Sequence, residues 1–184
     1  MGERQLKDAA EKVRKIGEEV KKNLGCDFDE SIYQNAMAIE FRRNKIDYLK
    51  EVNIEIFYKG ESVGVDRPDF VLTKTEGITK PIILELKVAD KITDDHRVQL
   101  KSYYVSFPKN NNPVLTDFVG GILLAFTNCE TEGKYAVKLF VVDEKFNTIM
   151  DDQAEEDAKI AREKEIAKER KEKEKEGKKK GKAD

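Results

Sequence analysis

An apolar run at residues 81–88, which reads P-I-I-L-E-L-K-V, constrains this chain more than any other feature. Six of its eight residues are apolar or proline, which is typical of an interior strand. Side chains two positions apart on a strand lie on one face, so Glu85 and Lys87 share a face with Ile83. Burying charge costs free energy unless the charge is paired or binds a metal. Because such local conflicts tend to mark functional sites, the run predicts both an inner strand and a site on it.

The distribution of charge divides the chain into a mixed domain and a charged tail. A length of 184 residues is enough for one domain with a hydrophobic core and an appendage. The net charge of -2 excludes a global field that would steer the protein to nucleic acid or to an anionic membrane. Residues 151–184 contain 12 basic and 12 acidic residues and few apolar ones, which predicts a solvated, fraying helix with a disordered basic end. We therefore expect a domain at residues 1–150 and a tail at residues 151–184.

The cysteine content and the hydropathy bear on the cellular setting. Cys26 and Cys129 are too few for a disulfide framework or a zinc cluster, and they predict reduced thiols in an intracellular protein. The sequence shows no signal-peptide pattern and no apolar run long enough to span a bilayer. We therefore expect no membrane partner, and the sequence predicts no particular oligomeric state.

Hydrophobic periodicity predicts an alternation of helices and strands. Helical spacing indicates helices at residues 3–23, 29–44 and 94–107. The second of these places Glu30, Tyr33 and Met37 on one face. Alternating or continuous apolar runs predict strands at residues 52–58, 63–66, 69–72, 81–88, 120–126 and 135–142. This order predicts a mixed α/β domain with a single sheet.

Two carboxylates in adjacent predicted strands form a candidate metal site. Asp69 begins the strand that precedes the one carrying Glu85, so the two side chains meet if these strands are neighbours. Two carboxylates, a backbone carbonyl and waters suit Mg²⁺ or Mn²⁺, which polarises a phosphate oxygen and lowers the pKa of a bound water. Lys87 would orient the attacking water or stabilise charge that develops on phosphorus. The alternative is a structural ion pair of Glu85 and Lys87 at a strand end, and the residue chemistry alone leaves both interpretations open.

Several motifs in one order resemble a known family. They read L-G-C-D-F-D-E-S-I-Y at residues 24–33, R-P-D at 67–69, L-E-L-K at 84–87, H-x-x-Q-L-x-x-Y at 96–103 and G-I-L-L-A-F-T-N at 121–128. The set resembles the GxxExxY family of the PD-(D/E)XK nuclease-like superfamily over residues 5–145. Asp27 stands where that family has the glycine three residues before the glutamate, which alters the turn before Glu30. The tail has no counterpart in the family.

The resemblance implies a restriction-endonuclease-like core, with a central mixed β-sheet flanked by helices. It implies that Asp69, Glu85 and Lys87 are the motif residues and that Glu30 completes the metal site. It also implies that Gln99 and Tyr103 line the site or bind substrate phosphate. Without the resemblance, Glu30 is interpreted as an exposed helix glutamate. Gln99 is then a surface amide, and Tyr103 is an aromatic ring packed on the sheet.

His96 is the only histidine, and its position near a helix start predicts a capping or surface role. We therefore keep it out of the catalytic set.

Together these features predict a divalent-metal-dependent nuclease that hydrolyses phosphodiester bonds in nucleic acid, with DNA favoured and Mg²⁺ or Mn²⁺ as cofactor. One alternative is a catalytically silent nuclease fold that serves as a binding or scaffold module. Another is a structural or packaging protein whose Lys-rich end contacts nucleic acid. The motif set favours the enzyme, whereas the near-neutral charge and the tail favour the alternatives.

Overall fold

The structure of the protein is a computed structural model that describes residues 2–26, 28–74, 80–112, 117–128 and 136–180. Its elements, in chain order, are α1 (Gly2–Leu24), α2 (Glu30–Arg43), β1 (Asp47–Lys50), β2 (Ile54–Tyr58), β3 (Glu61–Asp66), β4 (Phe70–Lys74), β5 (Ile82–Val88), α3 (Asp94–Ser106), a 3-10 helix (Phe107–Lys109), β6 (Gly120–Phe126), β7 (Val137–Asp143), β8 (Thr148–Asp151) and α4 (Asp152–Lys180). Asp27 and Cys129 lie outside the described residues.

A six-stranded mixed sheet forms the centre of the domain, in the order β1-β4-β5-β6-β7-β8. Only β5 and β6 run parallel, and the other neighbours in this sheet are antiparallel. The run that the sequence predicts as an inner strand is therefore β5, with a partner on each side. The predicted pairing of the strands that carry Asp69 and Glu85 is confirmed, because β4 pairs with β5.

The prediction of a single sheet is wrong, because β2 and β3 form a separate two-stranded sheet. Ile54 of β2 is fully buried in the hydrophobic cluster that includes Leu100 and Tyr103 of α3. The side chain of Asn110 also accepts from the backbone N–H of Glu55 at 2.9 Å and donates to its carbonyl at 3.1 Å. A side-chain amide thus satisfies the backbone of β2 where a neighbouring strand would otherwise pair.

Two hydrophobic clusters cover the two faces of the main sheet. On β5, Ile82, Leu84 and Leu86 pack into one cluster together with α1 and α2, whereas Ile83 packs into the other with α3. This alternation follows from the period of two along a strand. Burial of each of these large aliphatic side chains contributes about 1.5–3 kcal/mol. The sheet is therefore fixed between helices on both sides.

Most predicted elements are confirmed, with ends shifted by a few residues. The predicted helices correspond to α1, α2 and α3, and the predicted strand at residues 120–126 is β6. The sequence does not predict β1 and β8. Both have four residues, contain charged or polar ends and have only exposed or partly buried side chains at the sheet edges, so neither shows a clear hydrophobic alternation.

The expectation of reduced thiols is wrong for Cys26, which is disulfide-bonded in the structure. Across the part of the chain that the structure describes, no helix is both long and apolar enough to cross a membrane.

The chain divides into two compact units, residues 1–151 and residues 152–184. The second unit contains α4, whose side chains are exposed from residue 157 to residue 171. Within it, Lys159 and Glu163 form an ion pair at 3.7 Å, which is the i,i+4 spacing that favours an isolated helix.

Candidate active site

The site forms where β4 begins beside the middle of β5. The register pairs Phe70 with Leu84, so Asp69 and Glu85 lie next to each other across the two strands. The backbone N–H of Asp69 donates to Oε2 of Glu85 at 3.4 Å. Asp69 is 8% exposed and Glu85 is 2% exposed. The fold thus buries two neighbouring carboxyl groups.

Asp69 receives one hydrogen bond on each oxygen. Nε2 of Gln34, on α2, donates to Oδ1 at 2.7 Å, and the backbone N–H of Leu86 donates to Oδ2 at 2.7 Å. Gln34 is itself buried. Gln34 is not among the residues that the sequence predicts for the site, although it lies four residues after Glu30 on the same helix face.

Glu85 receives hydrogen bonds from three side chains. Lys87 Nζ and Gln99 Nε2 lie 2.8 and 2.7 Å from Oε1, and the hydroxyl of Tyr103 lies 3.1 Å from Oε2. That hydroxyl also lies 3.2 Å from the carbonyl oxygen of Arg67. The structure therefore places Gln99 and Tyr103 in direct contact with Glu85.

Glu30 lies beside Lys87. Its Oε1 is 3.6 Å from Lys87 Nζ, and its side chain is 37% exposed, compared with 16% for Lys87. The structure therefore places Glu30 at the edge of the cluster, in contact with the lysine. Glu30 is the first residue of α2, so the N-terminus of this helix lies beside Lys87.

Burial is the largest single influence on the pKa values of the three charged groups at the centre of the site. Burial, and then repulsion from Glu85, raise the pKa of Asp69 to about 7. Burial also raises the pKa of Glu85, although Lys87 opposes the shift. Burial alone would lower the pKa of Lys87, but Glu85, Glu30 and Asp69 outweigh it, so its pKa is raised and it remains a cation. One lysine thus faces three carboxyl groups.

The donor set at Asp69 and Glu85 fits a divalent cation. Mg²⁺ and Mn²⁺ prefer oxygen ligands and are commonly bound by one or two carboxylates, with water and substrate phosphate as the other ligands. Burial is the largest cause of the raised pKa of both groups, and a bound cation would favour their ionised forms. Among the described residues, no three His, Cys, Asp or Glu side chains group closely enough to hold a metal. The set is therefore a pair, and Glu30 is not brought into it.

His96 caps α3. Its backbone N–H donates to Oγ1 of Thr93 at 3.5 Å, and its Nδ1 accepts from the backbone N–H of Thr93 at 3.3 Å. This reciprocal arrangement is a capping box at the helix start. The prediction of a capping role is confirmed.

The domain thus has a mixed sheet between helices, and a buried carboxylate pair and a lysine lie together where β4 and β5 meet. The family model of the PD-(D/E)XK nuclease superfamily matches residues 7–135, more than half of the chain. The chain belongs to the PD-(D/E)XK nuclease superfamily, and its fold is restriction-endonuclease-like. Nucleases of this superfamily generally use divalent metals. Neither the curated proteins nor the solved structures include a match to this chain.

Proposed function

We propose that the protein is a divalent-metal-dependent nuclease of the GxxExxY type, which hydrolyses phosphodiester bonds in DNA with Mg²⁺ or Mn²⁺. Membership in the superfamily supports nuclease activity. The observation that carries the proposal is the buried pair of Asp69 and Glu85 with Lys87 Nζ 2.8 Å from Glu85. Two carboxyl groups that repel each other in a buried position are stabilised by a bound cation.

Each residue of the site has a role in this proposal. Asp69 and Glu85 hold the metal ion, which polarises a phosphate oxygen and lowers the pKa of a bound water. Lys87 orients the attacking water and stabilises the negative charge that develops on phosphorus. Glu30 contacts Lys87 and helps to fix its ammonium group.

Gln99 and Tyr103 position Glu85 through the hydrogen bonds described above. Tyr103 is fully buried, so its effect on substrate runs through Glu85. Gln99 is only partly buried and lies beside the same carboxylate, so we assign the direct substrate contact to Gln99.

Metal binding is tested by titrating Mn²⁺ into the wild type and into Asp69→Asn/Glu85→Gln by calorimetry. We expect the double variant to lose the binding that the wild type shows, and Mn²⁺ to raise the melting temperature of the wild type only. Equal affinity for Mn²⁺ in the two proteins would contradict the metal assignment.

Activity is tested on a labelled DNA duplex, the DNA single strand and an RNA of the same sequence. We expect DNA cleavage with Mg²⁺ or Mn²⁺ and none in EDTA. Cleavage of RNA alone would refute the choice of DNA, and cleavage that persists in EDTA would refute the dependence on metal.

A second candidate is a silent nuclease fold that binds or organises a partner. It is favoured by one observation: each oxygen of Asp69 and Glu85 already has a donor within the protein. Lys87→Met separates the two candidates, because methionine keeps the length of the stem and removes the charge. For the enzyme, we expect a folded variant whose turnover falls by about 10²-fold or more.

For the silent fold, the same substitution leaves Glu85 buried without its cation and costs about 3–5 kcal/mol of stability. Melting curves and the cleavage assay together decide between the candidates. A strongly destabilised variant of a protein that cuts none of the substrates would establish the second one.

A further inference from the structure

Helix α2 presents two polar side chains to the site from one face. Glu30 contacts Lys87 at 3.6 Å, and Gln34, one turn later, donates to Asp69 at 2.7 Å. The residue next to Gln34 on the helix, Asn35, is exposed and accepts a hydrogen bond from Lys50 instead. The contact with Asp69 is thus specific to the side of the helix that carries Gln34. The two residues are 35 positions apart in the sequence, so the contact depends on the tertiary fold.

We propose that Gln34 is a positioning residue that fixes the carboxylate of Asp69 and thereby sets the affinity of the site for a divalent cation. The inference rests on the proposed function, since it assumes that Asp69 is a metal ligand. Residues that hydrogen-bond to metal ligands orient them, and their loss typically lowers metal affinity by about 10- to 100-fold.

The chemistry of an amide suits this position. The backbone N–H of Leu86 fixes only Oδ2 of Asp69, so a second donor on Oδ1 is needed to hold the carboxylate in one orientation. A lysine or arginine would supply that donor but would also neutralise the charge that attracts the metal ion. Gln34 donates a hydrogen bond without neutralising Asp69.

The helix that carries Gln34 is firmly anchored. Tyr33, Met37 and Phe41, on the same helix, are fully buried in the cluster beneath the sheet. Tyr33 also stacks on Phe126 of β6, with 4.4 Å between the ring centroids. Packing therefore fixes the position of Gln34 relative to the strands, as a supporting residue of a metal ligand requires.

The test is Gln34→Met, which keeps the size of the side chain and removes the donor. Mn²⁺ affinity is measured by calorimetry on the full chain, beside melting curves in EDTA and a crystal structure of the metal-free variant. We expect a folded variant that binds Mn²⁺ about 10- to 100-fold more weakly than the wild type, with the Asp69 carboxylate rotated. If this variant fails to fold, Gln34→Asn, whose amide is one methylene too short, replaces it.

Two controls separate positioning from general destabilisation. Asn35→Ala alters the exposed neighbour on the same helix. Tyr33→Phe removes the hydrogen bond of 2.9 Å to the carbonyl of Gly25 while it keeps the ring. We expect Tyr33→Phe to lower the melting temperature and to leave Mn²⁺ affinity unchanged.

The outcomes distinguish this inference from the proposed function. Wild-type affinity for Mn²⁺ in Gln34→Met, or an equal loss in Tyr33→Phe, would overturn the positioning role while leaving the nuclease proposal in place. If the wild type itself binds no Mn²⁺, the metal-dependent function and the inference both fail. If wild-type binding depends on Gln34 but no substrate is cut, the positioning role stands without the nuclease activity.

Discussion

The carboxyl group of Asp69 should make the metal-free protein less stable as the pH rises. Its folded pKa of about 7 lies above the ordinary value of 3.8, so the folded protein binds this proton more tightly than the unfolded chain does. Well below pH 3.8 the group is protonated in both states and costs nothing. Between about pH 4 and pH 7 its contribution to the free energy of unfolding falls, and above pH 7 the loss is complete.

The size of the effect follows from the shift in the pKa of Asp69. A rise from 3.8 to about 7 corresponds to about 4 kcal/mol at pH 8 as an upper limit, since one pKa unit is about 1.4 kcal/mol. Asp69→Asn removes this cost, but an amide cannot accept from both Gln34 and Leu86 as the carboxylate does. A buried donor left unpaired costs about 1–3 kcal/mol. We therefore expect the variant to be less stable than the wild type at pH 5 and equal or more stable at pH 8.

Urea unfolding in EDTA at pH 5 and pH 8 measures both proteins. Asp143→Asn is a suitable control. Burial, the largest single influence, raises the pKa of Asp143, but hydrogen bonds from Asn147 and Lys145 together lower it below the ordinary value of 3.8, so this group does not titrate between pH 5 and pH 8. If the wild type and Asp69→Asn lose the same free energy of unfolding between pH 5 and pH 8, the account of the buried carboxyl pair is refuted.

Three further predictions follow from individual contacts. Tyr103→Phe should weaken Mn²⁺ binding, because it removes a hydrogen bond to Glu85, and should lower the free energy of unfolding in urea by about 1 kcal/mol. Unchanged Mn²⁺ affinity would argue against a positioning role for Tyr103. Deletion of residues 152–184 retains the 3.0 Å ion pair of Asp151 with Arg97. It should preserve the melting temperature and weaken DNA binding mainly at low salt, and a much lower melting temperature would contradict this. Asn110→Ala should increase amide hydrogen exchange in β2, and unaltered exchange would show that the side-chain amide does not protect this strand.

The central strands were predictable because their residues satisfy a local rule. The run that became β5 is apolar on both faces except at Glu85 and Lys87, and this conflict indicated both the strand and the site. The edge strands were not predictable, because short, partly exposed segments carry no periodic signal. Both strands of the hairpin were predictable, but its separation from the main sheet was not, because the contact that satisfies the backbone of β2 comes from Asn110, 55 residues further along the chain.

The candidate site divides in the same way. Asp69 and Glu85 could be paired from sequence because adjacent strands bring neighbouring positions together. Gln34 could not be assigned, because a glutamine on a helix has no distinctive pattern and its role depends on where the helix packs. The motif that contains Glu30 predicts that α2 contributes to the site, and α2 does so. In the structure, however, Glu30 contacts Lys87, and it is Gln34 that contacts Asp69.

Helices on the two faces of the sheet each hold one member of the carboxylate pair. Helix α2, on one face of the sheet, donates to Asp69 through Gln34, whereas α3, on the other face, donates to Glu85 through Gln99 and Tyr103. Each carboxylate is therefore held by a helix that packs in a different hydrophobic cluster. The distance between the two carboxylates depends on the positions of both helices. Because a metal ion needs its ligands at a set separation, loss of the hydrogen bonds that either helix donates to its carboxylate should weaken metal binding. The polar site therefore lies between two apolar layers, and each layer carries a helix that donates hydrogen bonds to one of the carboxylates.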